Sequence, residues 1–179
     1  VDRVMDFAGL ASGSQVSARR TVALAPILDA AVAALAPESA QRGVAVRVAH
    51  PAPVPGVVGD PAALTSAFQN IVGNAVKYSL DGGVTDVVTT VTGAGRVQVM
   101  VSDRGLGVDA DDLPHVFEPF YRGRRAVESQ VRGSGLGLSV VQGIVVAHGG
   151  TVRVGARSGG GTEVVVELPS APLNSGEPA

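Results

Sequence analysis

The stretch Gln69-Asn70-Ile71-Val72-Gly73-Asn74-Ala75-Val76-Lys77-Tyr78-Ser79 decides how this chain is read. It lies in a helix that opens after Asp60-Pro61: Asp is a good N-cap, and Pro at the first helical position has no N–H to leave unsatisfied. At 100° per residue, Leu64, Phe68, Ile71, Val72 and Ala75 form one apolar stripe. Asn70, Asn74 and Lys77 fall at i, i+4 and i+7 and share another face, about a quarter to a third of a turn away. Amide oxygens suit a hard, partly hydrated cation such as Mg²⁺, and an ammonium suits a phosphate. Lys77 is the single lysine against thirteen arginines. Two asparagines and a lysine on a solvated face are the plainer explanation, and this helix alone does not choose between them.

The surrounding chain sets the bounds. Its 179 residues fit one domain with a sizeable core, 45% hydrophobic but 3% aromatic, so Val, Ala and Leu must fill the interior. A net charge of −2 gives no general signal for nucleic acid or membrane. The absence of cysteine excludes disulfides and thiolate metal sites. No signal-peptide pattern is seen in these residues, and no apolar run comes near the roughly 20 residues that span a bilayer. The expectation is a cytoplasmic fragment, compatible with a longer parent anchored in the inner membrane.

Upstream of the central helix, Val1, Val4, Ala8 and Ala11 repeat like a coiled-coil seam, broken at Ser12-Gly13-Ser14. The abrupt start inside this pattern reads as a piece of something larger. Thr21–Leu24 is a short strand. Pro26 opens a helix carrying Ile27, Leu28, Ala31, Val32 and Leu35 and ending near Gly43. Val44, Val46 and Val48 line one face of a strand, and Val57-Val58 form another after a proline-rich connector. Downstream, Asp81-Gly82-Gly83 ends the helix. Strands at Val84–Thr92 and Arg96–Asp103 form an antiparallel hairpin about Gly93-Ala94-Gly95.

Three further stretches carry chemistry. Asp103-Arg104-Gly105-Leu106-Gly107 puts a carboxylate at a strand end, then glycines that let backbone pass close to a ligand. Such a carboxylate can accept from an exocyclic amine, as adenine offers; a plain turn is the commoner cause of the pattern. Val116-Phe117-Glu118-Pro119-Phe120-Tyr121 reads as a local hydrophobic plug. After it, Arg122, Arg124, Arg125 and Arg132 crowd into eleven residues without clear periodicity, opposed by Glu128. This is a mobile loop whose arginines are solvated or meet phosphate. Gly133-Ser134-Gly135-Leu136-Gly137-Leu138 leads into a helix through Val140, Val141, Ile144 and Val145. A glycine-rich start offers an anion free N–H groups and the positive dipole end. It is no Walker loop, since no Gly-Lys-Ser/Thr follows, and no strand leads in as a dinucleotide fingerprint requires. Thr151–Ala156 and Thr162–Leu168 make a last strand pair, with Glu163 and Glu167 facing away from Val164, Val166 and Leu168. A short polar tail over Ala171–Ala179 reads as disordered.

These stretches, in this order, resemble the catalytic ATP-binding domain of bacterial sensor histidine kinases, within the GHKL ATPase superfamily. Asn70-x3-Asn74-x2-Lys77-Tyr78 is similar to that family's asparagine box, Asp103 to Gly107 to its first glycine box, Phe117-Glu118-Pro119-Phe120 to its phenylalanine box, and Gly133 to Leu138 to its second glycine box. Gly161-Thr162 also fits, and the likeness covers about Thr21 to Pro169. It implies an α/β (α+β) fold: a two-layer sandwich of a mixed sheet with about three helices on one face. The division implied is residues 1–20 as the end of a dimerisation helix and linker, 21–170 as the ATP-binding domain, and 171–179 as tail.

The resemblance also implies roles. Asn74, with Asn70 beside it, would hold Mg²⁺. Lys77 would contact phosphate. Asp103 would bind the adenine amino group, with Gly105 and Gly107 allowing close approach and Tyr78 near the base. Arg122 with the Gly133, Ser134, Gly135, Leu136, Gly137 and Leu138 segment would hold phosphates under a lid from about Tyr121 to Arg132, and Thr162 completes the site. The reaction implied is transfer of the ATP γ-phosphoryl group to a histidine. In the family that histidine sits on a dimerisation domain upstream, so none of His50, His115 and His148 is the expected acceptor; His148, at a helix end, reads as a C-terminal cation. The implied partners are that domain and a response regulator, with a homodimeric parent. Superfamily hydrolases place a glutamate one turn before the metal asparagine. Here Asn70 stands there, and an amide is no general base, so slow hydrolysis is expected. The alternatives are an anti-sigma-factor-type serine kinase and a non-catalytic nucleotide-binding module.

Overall fold

In chain order the elements are strand β1 (Arg20–Ala23), helices α1 (Leu24–Ala34) and α2 (Ala36–Arg42), strands β2 (Ala45–Ala49) and β3 (Gly56–Gly59), and helix α3 (Pro61–Tyr78). Then come strands β4 (Val84–Thr92) and β5 (Arg96–Ser102), a 3₁₀ turn at Leu113–His115, helices α4 (Arg124–Glu128) and α5 (Gly137–Ala147), and strands β6 (Thr151–Ala156) and β7 (Thr162–Ala171). The computed structural model describes residues 19–50, 53–93, 95–131 and 133–173. The helix expected at Val1–Ala11 and the tail beyond residue 173 lie outside them.

The seven strands form one mixed sheet in the order β1-β3-β7-β5-β4-β2, with β6 also paired to β7. Only β2 and β4 run parallel; the other pairs are antiparallel. Both expected hairpins form, with Val87 opposite Val101 and Val154 opposite Val164. Strand alternation sorts the two faces. Val97, Val99 and Val101 of β5 and Val164, Val166 and Leu168 of β7 turn inward to a core shared with α1, α3 and α5. On the other face Glu167 gathers Arg96 at 3.7 Å, Arg153 at 3.2 Å and Gln98 at 3.0 Å. This is the expected sandwich: an open sheet with its three longer helices on one side.

Helix α3 is the centre of that layer. Asp60 caps it as expected, its Oδ1 accepting from Ala62 N at 2.9 Å and Ala63 N at 3.4 Å. The whole expected stripe is buried, Phe68 at 1% exposure, and full burial of such a side chain contributes about 1.5–3 kcal/mol. The opposite edge is left to face the site.

Four expectations need correction. The single helix from Pro26 to Gly43 is two, α1 starting at Leu24 and stopping at Leu35. Pro37 has no N–H to give to the Ala33 carbonyl, so the ladder cannot continue. The last strand does not stop at Leu168; it runs to Ala171, where Ser170 and Ala171 pair with Val57 and Gly56, so Ala171 belongs to the sheet rather than to a tail. His148 ends α5, but not as a cation. Asp60 N–H points at its Nε2 at 3.1 Å, and Nδ1 lies 2.7 Å from the Ile144 carbonyl. That pair of partners needs the neutral ring with its proton on Nδ1. Finally, the arginine-rich loop contains a short helix, α4, treated with the site below.

Candidate functional site

One cavity opens where the C-terminal half of α3 meets the start of α5, the end of β5 and the segment carrying α4. It is lined by Asn70, Asn74, Lys77 and Tyr78 from α3, by Asp103 and Gly107, by Arg122, by Gly133, Ser134, Gly135, Gly137 and Leu138, and by Thr162. The asparagine stretch and both glycine stretches therefore arrive at one place, whereas none of Phe117, Glu118, Pro119 and Phe120 lines it. Gly105 and Leu136 do not line it. Gly105 packs behind, and Leu136 is buried in the interior at 6% exposure.

At the α3 side, the polar edge is oriented by the helix itself. Asn70 Nδ2 donates to the Ser66 carbonyl at 2.9 Å, one turn back, which leaves Oδ1 turned away from that bond. Oδ1 is the atom nearest to Gly137: a Cβ on that glycine would sit 3.2 Å from it, and 3.7 Å from Asn74 Nδ2. Both asparagines thus converge on the first residue of α5. Lys77 follows on the same edge, its Nζ 5.1 Å from the Tyr78 ring centre and within 2.7 Å of where a Gly133 Cβ would stand. Two amides, an ammonium and a helix N-terminus in one corner form a set suited to an anion with a hard cation. Among the described residues no three His, Cys, Asp or Glu cluster as a metal site. A cation here would take Asn oxygens and complete its shell from the anion and water.

The opposite end is organised around Asp103, 4% exposed, just past β5. Its Oδ1 accepts from Gly105 N at 2.8 Å and Thr162 N at 3.3 Å; neither bond uses Oδ2. Burial pushes the carboxyl above the ordinary aspartate range, against the pull of those two N–H groups and of the Arg157 cation. A buried, partly satisfied acceptor facing a cavity suits a ligand N–H donor. The backbone around it is packed without slack. Leu106 N donates to the Tyr78 carbonyl at 3.1 Å, and a Cβ on Gly105 would fall on that carbonyl oxygen. Gly161, at φ +99°, lies against the Asp103 carbonyl in the same way. Tyr78 sits beside this wall, its hydroxyl pKa raised by burial and drawn down by Arg122.

The roof is the segment 121–131. Arg122 lines the cavity, but its Nη2 is engaged by the Val131 and Ala126 carbonyls at 2.6 and 3.4 Å, while its Nε is buried without a partner. Arg132 lies outside the described residues. The N-cap residue of helix α4, Gly123, has no side chain to cap it; Asp112 supplies the cap from eleven residues upstream of Gly123, Oδ2 accepting from Arg124 N at 2.8 Å. Its Oδ1 accepts from Tyr121 Oη at 2.7 Å. The Tyr121 bond, then the Arg124 N–H, hold the Asp112 carboxyl below the ordinary range, and the same bond raises Tyr121. Arg125 reaches the Leu106 carbonyl at 2.7 Å and Asp109 at 2.6 Å. Phe120 is not part of a plug: it is 69% exposed at φ +67°, its N–H given to the Gly135 carbonyl at 3.0 Å.

Asp109 and Asp112 are the residues sequence reasoning passed over, and Arg125, expected to be solvated or to meet phosphate, is held by Asp109 and the Leu106 carbonyl. The one signal was the acidic run Asp109-Ala110-Asp111-Asp112 facing an arginine run a few residues on. None of the chain's three histidines lines the cavity.

The chain is similar to known proteins in sequence and fold. Residues 59–172 match the family described as histidine kinase-, DNA gyrase B-, and HSP90-like ATPase. The sensor-like histidine kinase SenX3 of Mycobacterium tuberculosis (strain ATCC 25618 / H37Rv) is 38% identical over 114 residues, 64% of this chain and 28% of SenX3. Sensor protein CutS of Streptomyces coelicolor is 35% identical over 159 residues, 88% of this chain and 38% of CutS. The chain thus spans about a third of the length of these curated relatives. Among solved structures, a mycobacterial sensor histidine kinase MprB superposes with a TM-score of 0.76 at 28% identity, covering 87% of this chain and 99% of that one. Full-length ShkA in complex with AMPPNP gives 0.81 at 29% identity, covering 97% and 36%.

Proposed function

Since the chain belongs to the family of histidine kinase-, DNA gyrase B- and HSP90-like ATPases, we propose that it is the ATP-binding catalytic domain of a two-component sensor histidine kinase. The observation that carries this is the two-ended cavity: a buried acceptor carboxylate, Asp103, at one end, and Asn70, Asn74 and Lys77 against the α5 N-terminus at the other. That order suits an adenine at Asp103 and phosphates at α5.

In this reading Asp103 accepts from the adenine amino group, and the close-packed Gly105 and Gly161 hold it there. Lys77 and the N–H groups at the start of α5 neutralise phosphate charge. Asn74 and Asn70 hold Mg²⁺, which when bound supplies further neutralisation at the phosphates. The residues from Tyr121 to Val131 exclude water from above. Little covalent chemistry is asked of the protein; positioning and charge do the work. Asn70 has no proton-accepting group to activate a water, so the γ-phosphoryl group is reserved for an external nucleophile. The relatives that match are named sensor kinases, which favours a histidine acceptor over a serine and an active over a non-catalytic module. In this reading a dimerisation domain carries the acceptor, with a response regulator downstream; that none of His50, His115 and His148 lines the cavity supports an acceptor outside these residues.

The test is incubation of the chain with γ-labelled ATP, alone and with a purified histidine-bearing dimerisation domain. The result expected is acid-labile label on the added domain and none on the chain. Label on His50, His115 or His148, on a serine of the added protein, or nowhere would count against the reading.

A further inference from the structure

Arg157 follows β6 and opens the turn to β7, and it does not line the cavity. Its side chain is only 20% exposed, low for an arginine on a hairpin turn. Nη1 donates to the Asp103 carbonyl at 3.3 Å, and Nη2 lies 3.3 Å from Asp86 Oδ2 on β4. The turn that carries it is closed by two backbone bonds, Arg157 N to the Gly161 carbonyl and Gly160 N to the Arg157 carbonyl, both at 3.1 Å. The same turn presses Gly161 onto the Asp103 backbone, and Thr162, next along, exchanges bonds with Asp103: Asp103 N to the Thr162 carbonyl at 3.0 Å, Thr162 N to Oδ1 at 3.3 Å. One cation on one side chain therefore ties β4, the end of β5 and the β6–β7 turn together behind the carboxylate.

We propose that Arg157 is a positioning residue that fixes Asp103 and thereby sets the chain's selectivity for a purine bearing a 6-amino group. The inference rests on the reading of Asp103 as the base-binding residue. Oδ1 is already held by two N–H donors, so a proton entering the buried carboxyl would go to Oδ2, the oxygen needed to accept from the amine. A nearby cation opposes that proton. The other charged and titratable groups near Asp103 include Asp86 on β4, Arg104 next in the chain, Tyr78 and Lys77 on α3, and Arg122 and Arg125, with Asp109, at the roof. Of these groups and Arg157, only Arg157 shifts the Asp103 carboxyl, and it does so downward. Removing Arg157 moves the acid-side loss of amine recognition to higher pH.

The experiment compares ATP with purine riboside 5′-triphosphate, which lacks the 6-amino group, as competitors for a fluorescent nucleotide across pH. Wild type, Arg157→Gln and Arg157→Lys are measured, with Tm recorded for each. Wild type is expected to prefer ATP. Arg157→Gln should weaken ATP about three- to tenfold, the scale of one hydrogen bond, leave purine riboside triphosphate unchanged, and shift the acid limb upward for ATP alone. Arg157→Lys keeps the cation and should keep the wild-type pH profile, and it carries the test if the glutamine variant does not fold. Equal weakening of both nucleotides, or an unmoved acid limb in Arg157→Gln, overturns the role of Arg157. A wild type with no preference for ATP overturns the base-binding reading itself.

Discussion

The two ends of the cavity are built by different means. The Asp103 end is backbone against backbone: Gly105 on the Tyr78 carbonyl, Gly161 on the Asp103 carbonyl, over a core of Val97, Val99 and Val101. The roof is held by side chains: Asp112 accepts from the Tyr121 hydroxyl and the Arg124 backbone N–H, and Arg125 meets Asp109, around a five-residue helix with no buried residue. Close-packed backbone has one arrangement, whereas a few polar side-chain contacts, buried at Asp112 and half-exposed at Arg125, break and reform more readily. The base end is thus the more rigidly packed of the two, and the roof the more weakly held.

Glycine substitutions test that contrast most severely. Gly105→Ala sets a Cβ against a main-chain oxygen that cannot move aside, and nucleotide affinity should fall by more than about a hundredfold. Gly133→Ala meets instead the far end of Lys77, which can swing away, so the loss should stay within about tenfold. Titration of both variants with a fluorescent ATP analogue measures this, and equal losses would erase the distinction.

Removing the phosphate-end cation should have the next largest effect. Lys77→Met is expected to weaken ATP about tenfold, the worth of one charge-assisted contact, while leaving adenosine unaffected. Adenosine weakened as much as ATP would mean that the two ends are not separable.

Stability sharpens the comparison from the other side. The Asp103 carboxyl titrates higher in the folded chain than unfolded, chiefly from burial. Folding therefore disfavours its charged form: the penalty is absent below the unfolded pKa and complete above the folded one. At neutral pH Asp103→Asn should raise Tm by about 2–4 °C, since an amide oxygen can still accept from Gly105 and Thr162. Asp112 has the opposite sign. Its folded pKa is lowered, so its hold on the roof is present above the unfolded value and lost as pH falls through the folded one. The Arg124 amide resonance should move only below the ordinary aspartate range, and Asp112→Asn should speed amide exchange in α4 severalfold, with the smallest change in nucleotide affinity of the set. Unchanged α4 exchange would show that the roof is held by something else.

How much of this the sequence carried follows the same divide. Motifs that depend on local spacing were legible: the α3 stripe and its polar edge, the Asp60 cap, both hairpins, and Asp103 followed by glycines. Contacts between distant segments were not. Asp112 caps α4 from outside it, Arg157 reaches Asp103 across the sheet, and Asp60 N–H fixes the His148 ring; a lone charged residue has no periodicity to announce such a partner. The split at Leu35 was locally written in Pro37 but masked by the continuing apolar pattern of α1.

The most direct measurement is competition between ATP and a fluorescent ATP analogue, with Mg²⁺, on wild type and Asp103→Asn. Wild type should bind and the variant should lose about ten- to a hundredfold, the worth of one charged hydrogen bond. Equal affinity in the two would contradict the assignment of this cavity to adenine and phosphate, and with it the kinase reading.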